Sequence, residues 1–460
     1  MTANGEACLA LRSRPAAALV LLVLAVVAWS GKARADDRCA GPLQDDVCAE
    51  AVGSCPAVAP PLGLADGPWP VFQHDVQHTG HAAEVGATCA NVLWTRKLGG
   101  KVLSAPAMGA APAGQQGTLY VAAAKNPIVA LDPQDGHLLW DHTDEAGKLP
   151  DVSSPALGNG DLVYVGTRDN DLWAIAIPAP PAAVADVAWR QKICTDGDVS
   201  TPPIIAADGV VFMGSNSLAG GTLMAMCPGP VRTVKWCVNP LGGTLRNVSP
   251  ALSPDGNALY VSYLGAFLLA LDPQSGAERW RLQLQQRRNN LRYPNQTPVV
   301  DPGTGRIYVG FDTGLFAIDP TSPTPTVTML LPTYALAGKR VESPPALDVD
   351  HAGGRLYVGA TKGNRSTLYA LDRAGNVVWQ RADLGSGRLR NTPPVVDGDG
   401  RVFVAVGKTL YALDPTDGHT VWQLATRSRF ASSPIISAGR VYVATVDSTV
   451  YAIGGCPPPA

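Results

Sequence analysis

The chain has 460 residues, with 48 Gly, 40 Pro, 16% charged side chains and a formal net charge of −2. Such a length holds a sizeable core, as several domains or as one repeat array. A near-neutral balance excludes a nucleic-acid binder, which needs a basic field to meet phosphates. In chain order, residues 1–35 read as a signal peptide. Arg12 and Arg14 precede an apolar run from Ala16 to Trp29, and Ala33-Arg34-Ala35 fits a small-x-small cleavage site before Asp36. The run is shorter than the ~20 residues a spanning helix needs. No cysteine directly follows it, so a bacterial lipoprotein signal is missing. The expectation is an exported chain, periplasmic or secreted, that does not span a membrane once the signal is removed.

Residues 36–68 hold Cys39, Cys48 and Cys55 among Ala, Pro and Asp with no strand pattern, and read as a small stapled leader or linker. With Cys8 gone, eight cysteines remain, an even number that suits disulfides in an oxidising compartment. No CxxC pair suggests zinc.

From Trp69 onward the chain is periodic, and residues 69–456 read as one repeat domain. Residues 130–140, Ala-Leu-Asp-Pro-Gln-Asp-Gly-His-Leu-Leu-Trp, recur in pattern at 270–280 and 412–422, and one residue shorter at 370–379. Each copy is an apolar strand, an Asp-led turn and a second strand ending on Trp. In three of them Pro presets φ of the turn, while Asp and Gly supply the hydrogen bond and left-handed residue that return the chain. Outer-strand Trp positions fall at 94, 140, 189, 236, 280, 379 and 422, with one expected position, near Met329, lacking Trp. A Pro step recurs at 106, 155, 202, 250, 298, 344, 393 and 434, each followed by a central strand such as Leu162-Val-Tyr-Val or Arg440-Val-Tyr-Val. Eight four-stranded units predict an all-β, eight-bladed β-propeller, since no single sheet of this kind can bury both faces alone. The eighth unit ends after its third strand, Thr449 to Gly454. The strand Asn91 to Lys97 has no unit before it, and is expected to complete blade eight and close the ring. A Cys89–Cys456 disulfide would then clasp that closure. Cys227 and Cys237 flank a hairpin in blade three and either pair likewise or are buried thiols.

The Ala-x-Asp-x-x-x-Gly-x-x-x-Trp copies, and the opening Trp69-Pro-Val-Phe-Gln-His-Asp-Val-Gln-His-Thr-Gly80, resemble the tryptophan-docking repeats of the pyrroloquinoline quinone (PQQ)-like β-propellers. The resemblance spans roughly residues 69–455. It implies eight blades, each Trp packing on the neighbouring blade. Sites are grafted onto such a fold, so function does not follow from it. The family holds quinoprotein alcohol dehydrogenases, a lipoprotein scaffold for outer-membrane protein assembly, and many other exported proteins. The dehydrogenases carry PQQ over Ca²⁺ and a disulfide between adjacent cysteines. This chain has no adjacent cysteine pair and no long inserts between its repeats. Asp198, Asn247, Glu342 and Asn391 precede inner strands, where calcium ligands would stand, but Asn and Asp are ordinary loop residues. No cofactor, no metal and no catalytic residue is therefore expected, with a PQQ-dependent dehydrogenase as the alternative and an envelope-assembly scaffold as a third reading.

Beyond the fold, the loops leading to the inner strands are rich in bases. In seven of eight windows lying three to seven residues before the repeated Pro there is a Lys or Arg, including Lys101, Lys148, Arg246, Arg292, Lys339, Arg340, Arg388, Arg390, Arg427 and Arg429. Blade three carries Asp196 and Asp198 instead. In a propeller these loops share one face, so Lys101, Arg246, Arg292, Arg340, Arg390 and Arg429 are expected to form a cationic collar. Such a collar would grip a protein segment or an anionic ligand through paired N–H donors. A monomer with a protein or anionic partner is expected. His74, His78 and His81 lie in no helical context that would make a zinc pair, and read as packing. Asp397-Gly-Asp-Gly400 and Asp301-Pro-Gly-Thr-Gly305 read as blade turns.

Overall fold

The computed structural model describes residues 51–456 except 59–61, 111–116, 125, 127, 143–152, 168–170, 180–183, 194–200, 216–220, 239–244, 246–247, 264, 285–295, 322–323, 333–335, 337, 352 and 390–391. The described elements are all strands, in eight antiparallel sheets; in seven of them the strands are drawn from one stretch of the chain, and in the eighth Val92–Lys97 joins the last three strands. The sheets are the eight blades of a β-propeller. Blade six carries one extra short strand, Arg340–Val341, which pairs with the far end of Arg355–Lys362.

Position within a blade dictates the residue pattern. Second strands such as Leu162–Gly166 and Val402–Val406 are buried at every residue, because neighbouring blades cover both faces. They accordingly read as unbroken apolar runs. Outer strands alternate, as in Thr420–Ala425, with one face on the blade interior and the other in water. The buried apolar side chains run continuously across blades: Leu119, Tyr442 and Phe403 of blades one, eight and seven belong to one cluster.

The outer Trp sets the blade-to-blade contact. In every blade but the fifth it lies opposite an Ala of the third strand, as in Ala270↔Trp280, Ala412↔Trp422 and Trp94↔Ala452, with the register shift immediately beside that pair. The small Ala leaves room for the indole, and the shifted residue turns it toward the next blade. Each indole also rests on an aromatic residue of its own blade's second strand, such as Tyr120 for Trp140 at 5.8 Å and Phe403 for Trp422 at 5.7 Å. Burial among these neighbours pushes the hydroxyls of Tyr120, Tyr164 and Tyr260 up to about 12. The indole N–H then donates to a carbonyl across the blade boundary. Trp94 reaches Pro133 O at 3.0 Å, Trp236 reaches Pro273 O at 2.9 Å and Trp379 reaches Pro415 O at 2.9 Å. The turn Gly is held by the same contact. At Gly418 φ is +76°, and an added Cβ would stand 2.6 Å from the Trp379 ring.

Blade five differs from the expectation. Its register shift moves to Leu315/Phe316, leaving Met329 exposed and sending Leu330 inward against Gly375 of the next blade. The docking residue that replaces Trp is thus Leu330, one place beyond the position the repeat predicts.

Val92–Lys97 pairs antiparallel with Thr449–Gly454, and Cys89 is bonded to Cys456 beside that pair, with 5.9 Å between their Cα atoms. The other suggested pairing is wrong. Cys227 is bonded to Cys55, and Cys237 forms a disulfide with a different cysteine. The correction has a physical reason. The segment before Trp69 is folded onto the ring, with Val52 N–H donating to Val234 O and Gly53 N–H to Lys235 O, so Cys55 arrives beside blade three.

The sequence reading missed the role of residues 69–84. They cross the inner strands in succession. Met108 pairs with Trp69, Leu157 N–H donates to Pro70 O, and Leu252, Val300, Leu347 and Val396 N–H donate to Val76, Gln77, Thr79 and Gly80 O. The segment thus bonds to blades one, two, four, five, six and seven. Gln73, His74 and His78 take positive φ values along it, the backbone departures this winding path demands.

Candidate functional site

The two faces of the ring follow from strand direction. Outer-to-inner loops and second-to-third turns share one face; inner-to-second turns and the Asp-led turns share the other. The bases singled out above sit on the first. Ala124 N–H donates to Lys101 O, Arg388 Nε donates to Gly363 O at 3.1 Å, and Val446 N–H donates to Arg429 O. Each loop is therefore pinned to the second-to-third turn of its own or the preceding blade.

Of the six principal candidates, Lys101, Arg340 and Arg429 are described and exposed; Arg246, Arg292 and Arg390 lie outside the described residues, as do Lys148, Asp196 and Asp198. Arg388 and Arg427 are exposed as well. The collar carries acids the sequence reading did not place there. Arg340 Nη1 stands 3.7 Å from Asp312, and Arg388 stands 3.9 Å from Glu342. Burial raises the Asp312 carboxyl above the usual carboxylate range, and the Arg340 charge opposes that rise. Arg340 and Arg388 are thus partly neutralised within this face. The missed acid, Asp312, lies in a second-to-third turn, a segment the repeat pattern treats only as a connection.

The Ser and Thr of the recurring Pro steps tie adjacent blades. Ala105 N–H donates to Ser154 Oγ at 2.9 Å, Ser249 Oγ donates to Pro202 O at 2.8 Å, and Ser433 Oγ donates to Pro393 O at 3.1 Å. The hydroxyls of Ser154, Ser249 and Ser433 thus have partners and are structural, whereas Ser343 Oγ at the Pro344 step is buried without one.

Of the four loop residues that could stand as calcium ligands, only Glu342 is described. Asp198, Asn247 and Asn391 lie outside the described residues. Glu342 faces the Arg388 guanidinium, which supplies the positive charge a cation would bring. On the opposite face, Asp397 accepts from Gly86 N–H at 2.9 Å and pairs with Arg401 at 3.1 Å. Asp301 accepts the Gly305 N–H through its backbone carbonyl at 2.8 Å and pairs with Arg373. Both stretches are the turns the sequence predicts, and their carboxylates are engaged. His78 is fully buried, its ring within 2.9 Å of Phe72 O and 2.7 Å of Pro250 O, and it packs as expected.

These features define an eight-bladed PQQ-like propeller. The family described as outer membrane protein assembly factor BamB matches residues 64–179, 181–373 and 364–455, and the chain belongs to that family. It is 25% identical over 365 residues to the outer membrane protein assembly factor BamB of Yersinia pestis, covering 74% of this chain and 83% of that protein. Among solved structures, BamB from Moraxella catarrhalis is 18% identical, with a TM-score of 0.57 over 80% of this chain and 98% of that one. Quinohemoprotein alcohol dehydrogenase from Comamonas testosteroni is 16% identical, with a TM-score of 0.66 over 91% of this chain and 86% of that one. Both structural likenesses speak to the fold alone. Among the described residues, no helix is long and apolar enough to cross a membrane.

Proposed function

We propose that this chain is an exported, non-catalytic binding scaffold of the cell envelope that holds an acidic protein segment on its collar face. The family match across residues 64–455 carries the reading, because the members it names assemble outer-membrane proteins. The exposed Lys101, Arg427 and Arg429 support it, since bases with no ion pair among the described residues, on loops pinned by backbone hydrogen bonds, present charge at little ordering cost. The signal-like residues 1–35 and the disulfides suit an oxidising compartment outside the cytoplasm.

The test is photocrosslinking in the envelope of the native cell. Crosslinkers at Lys101 and Arg429 are expected to give one defined protein adduct that a crosslinker at Gln134, on the opposite face, does not. Charge reversal of Arg246, Arg340 and Arg390 is expected to remove the adduct while the melting temperature stays within a degree or two. Equal adducts from both faces, or an adduct that survives the triple reversal, would overturn the reading.

A further inference from the structure

On the face opposite the collar, the crossing segment brings one histidine against a turn of blade six. His81 is fixed from both sides: Thr79 O accepts from Leu347 N–H at 2.7 Å, Gly80 O accepts from Val396 N–H at 2.8 Å, and Ala82 N–H donates to Val396 O at 2.9 Å. Its side chain is 4% exposed, and its Nε2 is buried with no hydrogen-bond partner. That atom stands 3.7 Å from Asp348 Oδ1 and 3.7 Å from Asp350 Oδ2, too far for a hydrogen bond to either. Asp348 ends the inner strand Ala346–Asp348 and is almost wholly buried. Its Oδ1 is 2.9 Å from His351 Nδ1 and accepts the Asp350 and His351 N–H groups at 3.3 Å. One ligand atom from each of His81, Asp348 and His351 lies within 4.8 Å of the others.

We propose that His81, Asp348, His351 and Asp350 form a binding site for a divalent transition metal ion, with zinc as the best match. Two imidazoles and two carboxylates suit zinc over the all-oxygen cages of calcium and magnesium. Metal–ligand bonds of about 2.0–2.1 Å in a tetrahedron set donor atoms roughly 3.3 Å apart; the His351–Asp348 and His81–Asp348 separations of 2.9 and 3.7 Å bracket that spacing, and Asp350, 3.7 Å from His81 but outside the group of three, turns in to complete the set. A metal gives the orphaned His81 Nε2 its partner and gives the buried Asp348 carboxylate a full positive charge. Among the described residues, that carboxylate's ion pairs are to the two imidazoles alone. Asp350 and His351 form part of the wall of a 1040 Å³ cleft between blades five and six that Arg306 and Arg373 also line, and Arg373 Nη2 donates to Asp348 O at 3.3 Å. Gly400 of blade seven leaves space for the His351 ring, 3.1 Å from where a Cβ would stand.

Two other groups, each of two Asp and one His, serve as internal controls. In Asp132–Asp135–His137 and Asp414–Asp417–His419 the imidazole Nδ1 already sits 2.7 Å and 2.8 Å from its neighbouring Asp, on exposed turns. Neither presents a buried, unpartnered atom.

The experiment uses the whole mature chain with its disulfides intact, stripped with chelator and titrated with Zn²⁺ by calorimetry, with retained metal counted after desalting. One equivalent is expected to stay bound and to raise the melting temperature, as any ligand selective for the folded state does. His351→Ala and Asp350→Asn are surface changes that leave folding intact, and each is expected to weaken binding at least tenfold; His81→Gln is expected to abolish retention. His137→Ala and His419→Ala are expected to leave the tight site unchanged. No retained metal, or affinity that survives His351→Ala and Asp350→Asn but falls with His137→Ala or His419→Ala, would overturn the assignment.

Discussion

Leu330 and Met329 show how one residue decides the packing of a blade. The repeat pattern, read as letters, points to Met329, because that position aligns with Trp in the other units. The displaced register shift instead turns Leu330 inward to 8% exposure and leaves Met329 at 46%. A large-to-small change at the buried position loses transfer energy and leaves a cavity. Leu330→Ala is therefore expected to cost about 2–4 kcal/mol and Met329→Ala no more than ~0.5 kcal/mol, measured by denaturant unfolding. Equal effects would mean that the register is not as described. The same scale explains why the metal cluster was invisible in the sequence. His81 lies 267 positions before Asp348 in the numbering, and only the path of the crossing segment joins them. The helix-spaced histidine motif was the wrong geometry to look for.

At the scale of the element, the Asp-led turn is the device the chain reuses, and it is sensitive to acid. Asp272 is held down to about 2, first by the Arg279 guanidinium and then by N–H and hydroxyl donors of its own turn. Asp372 and Asp414 are also lowered, chiefly by the Asn376 side chain and the Thr416 hydroxyl respectively. A carboxylate held below its unfolded value takes up its proton more readily when the chain is unfolded. Its stabilising effect is thus complete above the ordinary value near 3.8 and fades as pH falls toward 2. Asp312 and Asp397 are raised by burial and act with the opposite sign over the range just above that value. Asp272→Asn isolates the turn: the melting temperature of the variant is expected to fall less steeply between pH 4 and pH 2 than that of the parent, with little difference in slope above pH 5. An unchanged acid slope would remove the turn from the account. These turns were fully legible in the sequence, because Asp, Pro and Gly at fixed offsets have a local mechanism. The disulfides were less so. Cys89 and Cys456 could be placed by strand register. Cys55 could not, since its segment has no periodicity to say which blade it crosses.

For the whole molecule, closure is the property that matters; Cys89–Cys456 secures it, while Cys55–Cys227 ties the leader to blade three. Cys89–Cys456 spans 367 positions and Cys55–Cys227 spans 172. If the links act by restricting the unfolded chain, the longer loop contributes more, by about 0.7 kcal/mol from the logarithmic dependence on loop length. The Cys89→Ser/Cys456→Ser chain is expected to melt lower than the Cys55→Ser/Cys227→Ser chain. The reverse order would show that the leader's attachment to blade three outweighs ring closure. Blade number, strand order and the closing strand were readable because each unit repeats the same solution to burying two faces. Residues 69–84 were not, because they make one-time contacts with six different inner strands and carry no repeat of their own.

The Cys89–Cys456 link also decides where a mechanical load would travel. Tension applied between a residue just ahead of Cys89 and one at Cys456 passes from Cys89 directly into Cys456, bypassing everything between them. A pull applied ahead of Cys55 instead enters blade three through Cys227, so the ring itself carries that load.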